Sequence, residues 1–298
     1  MRVHQVRRCV TTAIAAAVVM FTINPSAHAA VQFDTSRSLL REGAYQVAYS
    51  ETHDSLWVSS AWAGGGISEL LEVDPDSLEV KRAITPPRLA DGNLELLFGI
   101  GVDDATDTVW VTNTTLNSVA VYSMSSGEHL ATIPDVVHSR EVLIADGFAY
   151  VSAVDANEVV KIDTRTYQVA ARIPVPGMPM ALDYDEGTAT LVTSTLDSNQ
   201  LVIMRDQQQV AHPLGTGRSS DVEYDAARDR IYVASQESAD LTVVDANTGE
   251  IIRRIPAGDG ALTIGQVGDV IMVGNLFAST LTVIDADSLE VVDTIEHA

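Results

Sequence analysis

From residue 43 onward the chain is a succession of short apolar runs rich in Val, Ile and Tyr, separated by clusters of Asp, Asn, Thr and Gly. Runs of this kind, bounded by turn residues, predict strands joined by hairpins. No stretch of useful length carries the spacing of an amphipathic helix, so the chain reads as all-β. One unit recurs, a bulky residue followed by Val: Trp57-Val58, Trp110-Val111, Tyr150-Val151, Leu191-Val192, Tyr232-Val233 and Met272-Val273. The intervals are 53, 40, 41, 41 and 40 residues, and a period near 40 is what four short strands and their turns require. The long first interval holds the Gly64-Gly65-Gly66 loop and the stretch 88–95, insertions that belong in loops.

Residues 221–256 are the cleanest copy, with strands DVEYD, IYVA, LTVVD and EIIRRIP separated by polar turns. The third strand recurs as LLEVD from Leu70, VVKID from Val159 and LTVID from Leu281, with degenerate copies VAVYS from Val119 and LVIMR from Leu201. A lone four-stranded sheet of this length cannot bury both faces, and a ring of radial blades buries them while leaving only short edges. The fold class read from the pattern is therefore an all-β β-propeller of four-stranded antiparallel blades, with six repeats visible. The blades fall at about 44–88, 97–140, 141–180, 181–220, 221–262 and 263–298, after an N-terminal strand at 32–42. A β-solenoid is the competing architecture, but its coils are usually shorter than this period.

The segment ahead of the repeats has a different composition. Arg2, Arg7 and Arg8 precede an apolar run from Val10 to Ile23, followed by Pro25 and Ala27-His28-Ala29. This order describes a secretory signal peptide over residues 1–29, with cleavage after Ala29. The apolar run of 14 residues is too short to span a hydrocarbon core of about 30 Å. Arg7-Arg8 offers a twin-arginine alternative, but Cys9, Val10 and Thr11 supply little of the apolar pattern expected behind it. The single domain over 30–298 is then expected to be exported, periplasmic or extracellular.

Removing the leader changes the charge and cysteine arithmetic. The full chain has 18 Lys plus Arg against 41 Asp plus Glu, a net charge of −23. Without residues 1–30 the balance is 15 against 41, or −26, and Lys81 and Lys161 are the only lysines. So acidic a chain is a poor nucleic-acid binder, because phosphate binding rests on Lys and Arg. The single cysteine, Cys9, leaves with the leader, which excludes disulfides, thiol nucleophiles, zinc-thiolate sites and haem attachment from the mature chain.

The repeat also resembles a known family. The Tyr/Trp-Val-x-Asn/Ser units at 57–60 and 110–113, the related Tyr150-Val151-Ser152-Ala153, the V-x-V-I-D strand and the turn Thr248-Gly249-Glu250 are similar to YVTN-type β-propeller repeats. Residues 42–50 (EGAYQVAYS), with Asp74-Pro75 and Leu78-Glu79-Val80 behind them, resemble the YncE-like extracytoplasmic branch. The resemblance runs from about Ser38 to the end. It implies an exported propeller, usually of seven blades, without an assigned enzymatic activity and without a catalytic motif to carry over. Six full repeats stand against that usual seven. In either ring size the N-terminal strand is expected to lie against the final strand, at 290–295.

Candidate chemistry concentrates on the face carrying the loops after each second strand and the joints between blades. The ligand-binding candidates there are Trp62, Arg88, Asn113, His138, Arg140, Glu141 and Arg218. Arg88, Arg140 and Arg218 fall at comparable joints, and converging guanidinium groups would bind a carboxylate or phosphate through paired hydrogen bonds. The alternative is that each pairs with a local acid such as Glu141 or Asp221 and knits neighbouring blades together. Met180, in the Pro176–Met180 joint, is expected to fill the channel wall.

Asp, Asn and Glu on this face are the oxygen donors Ca²⁺ takes, but they are also ordinary turn residues, and no D-x-D-x-D-G loop occurs. No cofactor is expected, a structural Ca²⁺ being the one metal considered. The histidines show no H-E-x-x-H spacing, and there is no G-x-S-x-G elbow, P-loop or Rossmann fingerprint. The sequence therefore points to a non-enzymatic binding or scaffold propeller, monomeric, for a protein, peptide or small anionic ligand. The alternative is a metal-dependent propeller hydrolase of the lactonase type.

Overall fold

The computed structural model describes residues 10–11, 18–23, 33–36, 40–62, 66–86, 88, 92, 94–215 and 217–296. Most of the expected leader, its cleavage site and Gly64-Gly65 lie outside the described residues. Six four-stranded antiparallel sheets follow one another, each made of four consecutive strands in sequence order. Blade 1 comprises Ala44–Ser50, Ser55–Trp62, Ile67–Val73 and Val80–Ile84. Blade 2 comprises Ile100–Asp103, Thr108–Asn113, Ser118–Ser123 and His129–Ile133. Blade 3 comprises Ser139–Ala145, Phe148–Ala153, Glu158–Asp163 and Val169–Pro174. Blade 4 comprises Pro179–Asp185, Thr190–Thr195, Gln200–Arg205 and Gln208–Pro213. Blade 5 comprises Ser219–Asp225, Arg230–Ser235, Asp240–Asp245 and Ile251–Pro256. Blade 6 comprises Ala261–Val267, Val270–Asn275, Thr280–Asp285 and Val291–Glu296. Apart from two single 3₁₀ turns, at Thr114–Leu116 and Val154–Ala156, the described residues contain no helix, and none is long and apolar enough to cross a membrane.

The recurrent bulky-Val pair is the core of each blade, because successive residues of a strand face opposite sides of the sheet. Trp57, Trp110, Tyr150 and Tyr232 pack with residues of the following blade, whereas Val111, Val151 and Val233 pack with the preceding one. In blade 4 the register places Thr193 opposite Leu182 and Val192 opposite Asp183, so the equivalent pair is Val192-Thr193 and not Leu191-Val192. The sequence pattern is offset here by one residue because Leu191 and Val192 are both apolar; the first turn spans four residues in blade 4 as it does in blade 5. A one-residue slip reverses which face each side chain occupies.

The residue after that Val explains why a hydroxyl recurs there. Ser59, Thr112 and Ser152 accept the backbone N–H groups of Gln46, Gly99 and Glu141, of which Gln46 and Glu141 lie at a bulge in their innermost strand and Gly99 just ahead of its own. Ser59 also donates to the Phe98 carbonyl, and Thr112 to the Arg140 carbonyl at 2.9 Å, so the same hydroxyl ties one blade to the next. The hairpins between third and fourth strands repeat a second device. Asp74, Asp163, Asp245 and Asp285 accept the backbone N–H and the hydroxyl of Ser77, Thr166, Thr248 and Ser288. These bonds hold the four aspartates below the usual carboxylate range, Asp74 at about 2.

The N-terminal strand differs from expectation. Phe33–Ser36 pairs with Val18–Ile23, which pairs in turn with Val10–Thr11 in a separate three-stranded sheet. Val291–Glu296 pairs with Thr280–Asp285. The sheet order puts Val10–Thr11 innermost and Phe33–Ser36 outermost in its own sheet, and that arrangement takes the place of an addition to the final strand.

Candidate functional site

A cavity of about 260 Å³ occupies the ring axis, lined by residues near the starts of the innermost strands. The lining follows from the repeat. The position just ahead of the first core residue of each innermost strand, at a bulge in blades 1 and 3–6, holds Gln46, Gly99, Glu141, Ala181, Asp221 and Thr263, of which Gln46, Glu141, Asp221 and Thr263 line the cavity. Where this residue carries a suitable side chain it reaches across to the next blade. Gln46 accepts the Ile100 N–H at 3.2 Å, Glu141 accepts that of Leu182, and Asp221 accepts that of Ile264 at 2.7 Å. Gly99 has no room for a side chain, since a Cβ there would stand 2.2 Å from the Arg140 carbonyl. Two residues further along blade 4, Asp183 accepts the Tyr224 N–H of blade 5 at 2.6 Å.

These acids are thus inter-blade clamps, and they are also the charge of the cavity. Glu141, Asp183, Asp221 and Glu223 line it beside a single guanidinium, Arg140. Arg140 lies 4.9 Å over the ring of Tyr45, a cation–π contact, and Tyr45 is fixed edge-on to Phe98 at 5.3 Å. Burial, reinforced by the neighbouring Asp221, pushes Glu141 well above the usual carboxylate range despite Arg140 beside it. Burial raises Asp221 to about 7, against the lowering effect of the Ile264 and Val222 N–H groups. Burial likewise raises the Tyr45 hydroxyl.

A pH dependence of stability follows. A carboxyl raised to about 7 in the fold keeps a proton that the unfolded chain releases near pH 4, so stability falls as pH rises between those values. The turn aspartates act in the opposite sense, contributing stability above their ordinary value and losing it as pH falls through their lowered ones. Asp221→Asn keeps an acceptor for Ile264 and removes the charge. It is expected to raise Tm by roughly 4 °C at pH 8, corresponding to about 1–2 kcal/mol, with the difference vanishing at pH 5. Calorimetric melts at the two pH values check this, and an equal shift at both would contradict it.

The candidates read from the sequence separate in space. Arg140 and Glu141 line the cavity together, and Met180 lines it too. Arg88 is exposed and donates to the Gly92 carbonyl at 3.1 Å, and Arg218 is exposed at the joint into blade 5; neither belongs to the lining. His138 meets Asp155 at 3.0 Å. Asn113 is buried, and its Oδ1 accepts from Leu116 and Thr115 to close a 3₁₀ turn. Trp62 is 42% exposed at the end of its strand. Tyr45, Gln46, Asp183 and Glu223 were not singled out from the sequence. For Gln46 the signal is a polar residue just ahead of the apolar core of an innermost strand, as in Gln46-Val47, Glu141-Val142, Asp221-Val222 and Thr263-Ile264. Among the described residues no three His, Cys, Asp or Glu side chains are grouped to hold a metal ion.

An acidic, partly aromatic cavity at the axis of radial four-stranded blades defines a β-propeller with a channel site. No family model matches the chain. It is 25% identical over 245 residues to the uncharacterized protein YncE of Escherichia coli strain K12, covering 74% of this chain and 67% of that protein. It is 24% identical over 288 residues to YncE of Salmonella typhimurium, covering 88% and 79%. Both relatives and the six four-stranded blades fit a YncE-like β-propeller of the YVTN type. Among solved structures, a protein from Lactobacillus plantarum superposes with a TM-score of 0.78 at 13% identity over 98% of this chain and 97% of that one. A catalytically inactive virginiamycin B lyase from Staphylococcus aureus, solved with quinupristin, gives 0.71 at 12% identity over 85% and 84%. These likenesses concern the fold.

Proposed function

We propose that the chain is an exported, non-enzymatic binding propeller whose channel cavity receives a cationic group, an ammonium or guanidinium carried by a peptide, a protein or a small amine. The observation that carries this reading is the lining: four carboxylates against one guanidinium, with that guanidinium already held over Tyr45. A small anion, expected when three arginines were read as converging, would meet Arg140 alone among four acids. Export rests on the basic, apolar and small-residue order of residues 1–29.

The test is calorimetric titration with a linear diamine and arginine amide, beside succinate and inorganic phosphate. The cations are expected to bind, and the anions are not. Binding should tighten from pH 5 to pH 8, because Glu141 and Asp221 must ionise to meet the ligand. Anion binding in preference to cations would overturn the reading. The hydrolase reading is tested separately with a lactone panel in Ca²⁺, where turnover would replace the binding role by catalysis.

A further inference from the structure

The junction between blade 6 and blade 1 is built unlike the other five. At those five, innermost strand packs directly on innermost strand, and an apolar cluster draws residues from both blades. By the alternation described above, Met272 of blade 6 should reach into blade 1, and Val58 of blade 1 should reach back into blade 6. Instead, Met272 clusters only with residues of its own blade, namely Val270, Leu281 and Val283 with Val267 and Ile295. Val58 clusters only with residues of blade 1 and Leu40. Both sets are nonetheless buried. The polar clamps agree. Thr263 stands where Gln46, Glu141 and Asp221 accept an N–H from the next blade, and its Oγ1 is buried without a partner.

Blades 6 and 1 therefore do not pack on each other as the other neighbours do, and a position lies between them. We propose that it is a seventh blade position and that its occupant is the chain's own N-terminal sheet, the strands Val10–Thr11, Val18–Ile23 and Phe33–Ser36, acting as an incomplete blade. The placement of its backbone is the argument for that occupant. Val10–Thr11, the innermost strand of the N-terminal sheet, lies against the first and second strands of blade 6 and the first strand of blade 1, as an innermost strand does elsewhere in the ring. The sheet is antiparallel with sequential order, like the blades. The leader thus seals two apolar faces in the uncleaved chain, and cleavage after Ala29 would remove two of its three strands and open the seam.

Hydrogen exchange on the uncleaved full-length chain tests this. Amides of Val18–Ile23, the central strand of the sheet, are expected to be protected at least tenfold over free peptide. Phe21→Pro removes a donor from that strand. It is expected to speed exchange at Val270–Asn275 and Thr280–Asp285 at least tenfold, with blades 3 and 4 unchanged. Free-peptide rates at Val18–Ile23 beside full protection of blade 6 would overturn the proposal, because the seam would then close without the segment. Protection of blade 6 that depends on protein concentration would overturn it too, since the occupant would be a second copy.

Discussion

Replacing Arg228 by Ala is expected to destabilise the protein by about 3 kcal/mol, the lower end of the range for breaking a buried ion pair from one side. Arg228 spans the junction of blades 5 and 6. Its guanidinium contacts Asp225 at 3.1 Å, Asp269 at 2.5 Å and Asp287 at 2.6 Å. The two blade 6 partners are 75% and 72% exposed, so their pairs are screened by solvent and contribute little. Asp225 is only 2% exposed, and it decides the effect. Without Arg228 its charge keeps the Tyr232 hydroxyl at 2.8 Å and the Ala227 N–H at 3.1 Å, which leaves a buried carboxylate without its ion-pair partner. Adding Asp225→Asn should return about half of the loss, because an amide still accepts the Tyr232 hydroxyl and carries no charge. Urea denaturation of the two variants checks both statements, and a double variant weaker than Arg228→Ala would contradict them.

A larger loss, about 4 kcal/mol, is expected for Trp110→Ala, within the range for emptying a buried aromatic site. Trp110 is fully buried between blades 2 and 3, where it packs with Val142 and Val151, meets Tyr167 edge-on at 5.8 Å and donates from Nε1 to Thr108 at 2.9 Å. The sheets on either side are fixed by their own ladders and cannot collapse into the space. Trp110→Tyr places there the residue that blades 3 and 5 carry at the equivalent position, Tyr150 and Tyr232, and should lose well under half as much. Equal losses for the two variants would show that the indole hydrogen bond, and not the filled volume, is what matters.

The blades were legible in the sequence because the bulky-Val pair and the Asp-capped turn are local signals repeated at a fixed interval. Blade 4 shows where that reading slips. Leu191 and Val192 are both apolar, so the pattern does not tell which faces which blade until the pairing of Thr193 with Leu182 is known. The cavity was half legible. Arg140 and Glu141 adjoin a recognisable joint, but Asp183 and Glu223 alternate within strands where a polar residue reads as solvent-facing. Which strands are innermost follows only from ring closure, and so does the seam, since a period in sequence says nothing about the gap between the last repeat and the first. The arginines were grouped by sequence spacing. Arg140 lies with Glu141 in the bulge that borders the channel, whereas Arg218 and Arg88 sit further out on the joints.

The clamping and binding roles of the channel acids share one physical origin. A carboxylate that accepts an N–H from the next blade is fixed at the axis, and burial beside its neighbours makes its charge costly. A ligand cation relieves that repulsion. The most direct test is the titration of the linear diamine into the full chain at pH 8 beside Glu141→Gln, a substitution that retains an acceptor for Leu182. About tenfold weaker binding to the variant, roughly 1.4 kcal/mol, is the predicted result, and equal affinity of the two proteins would contradict the cavity as the site.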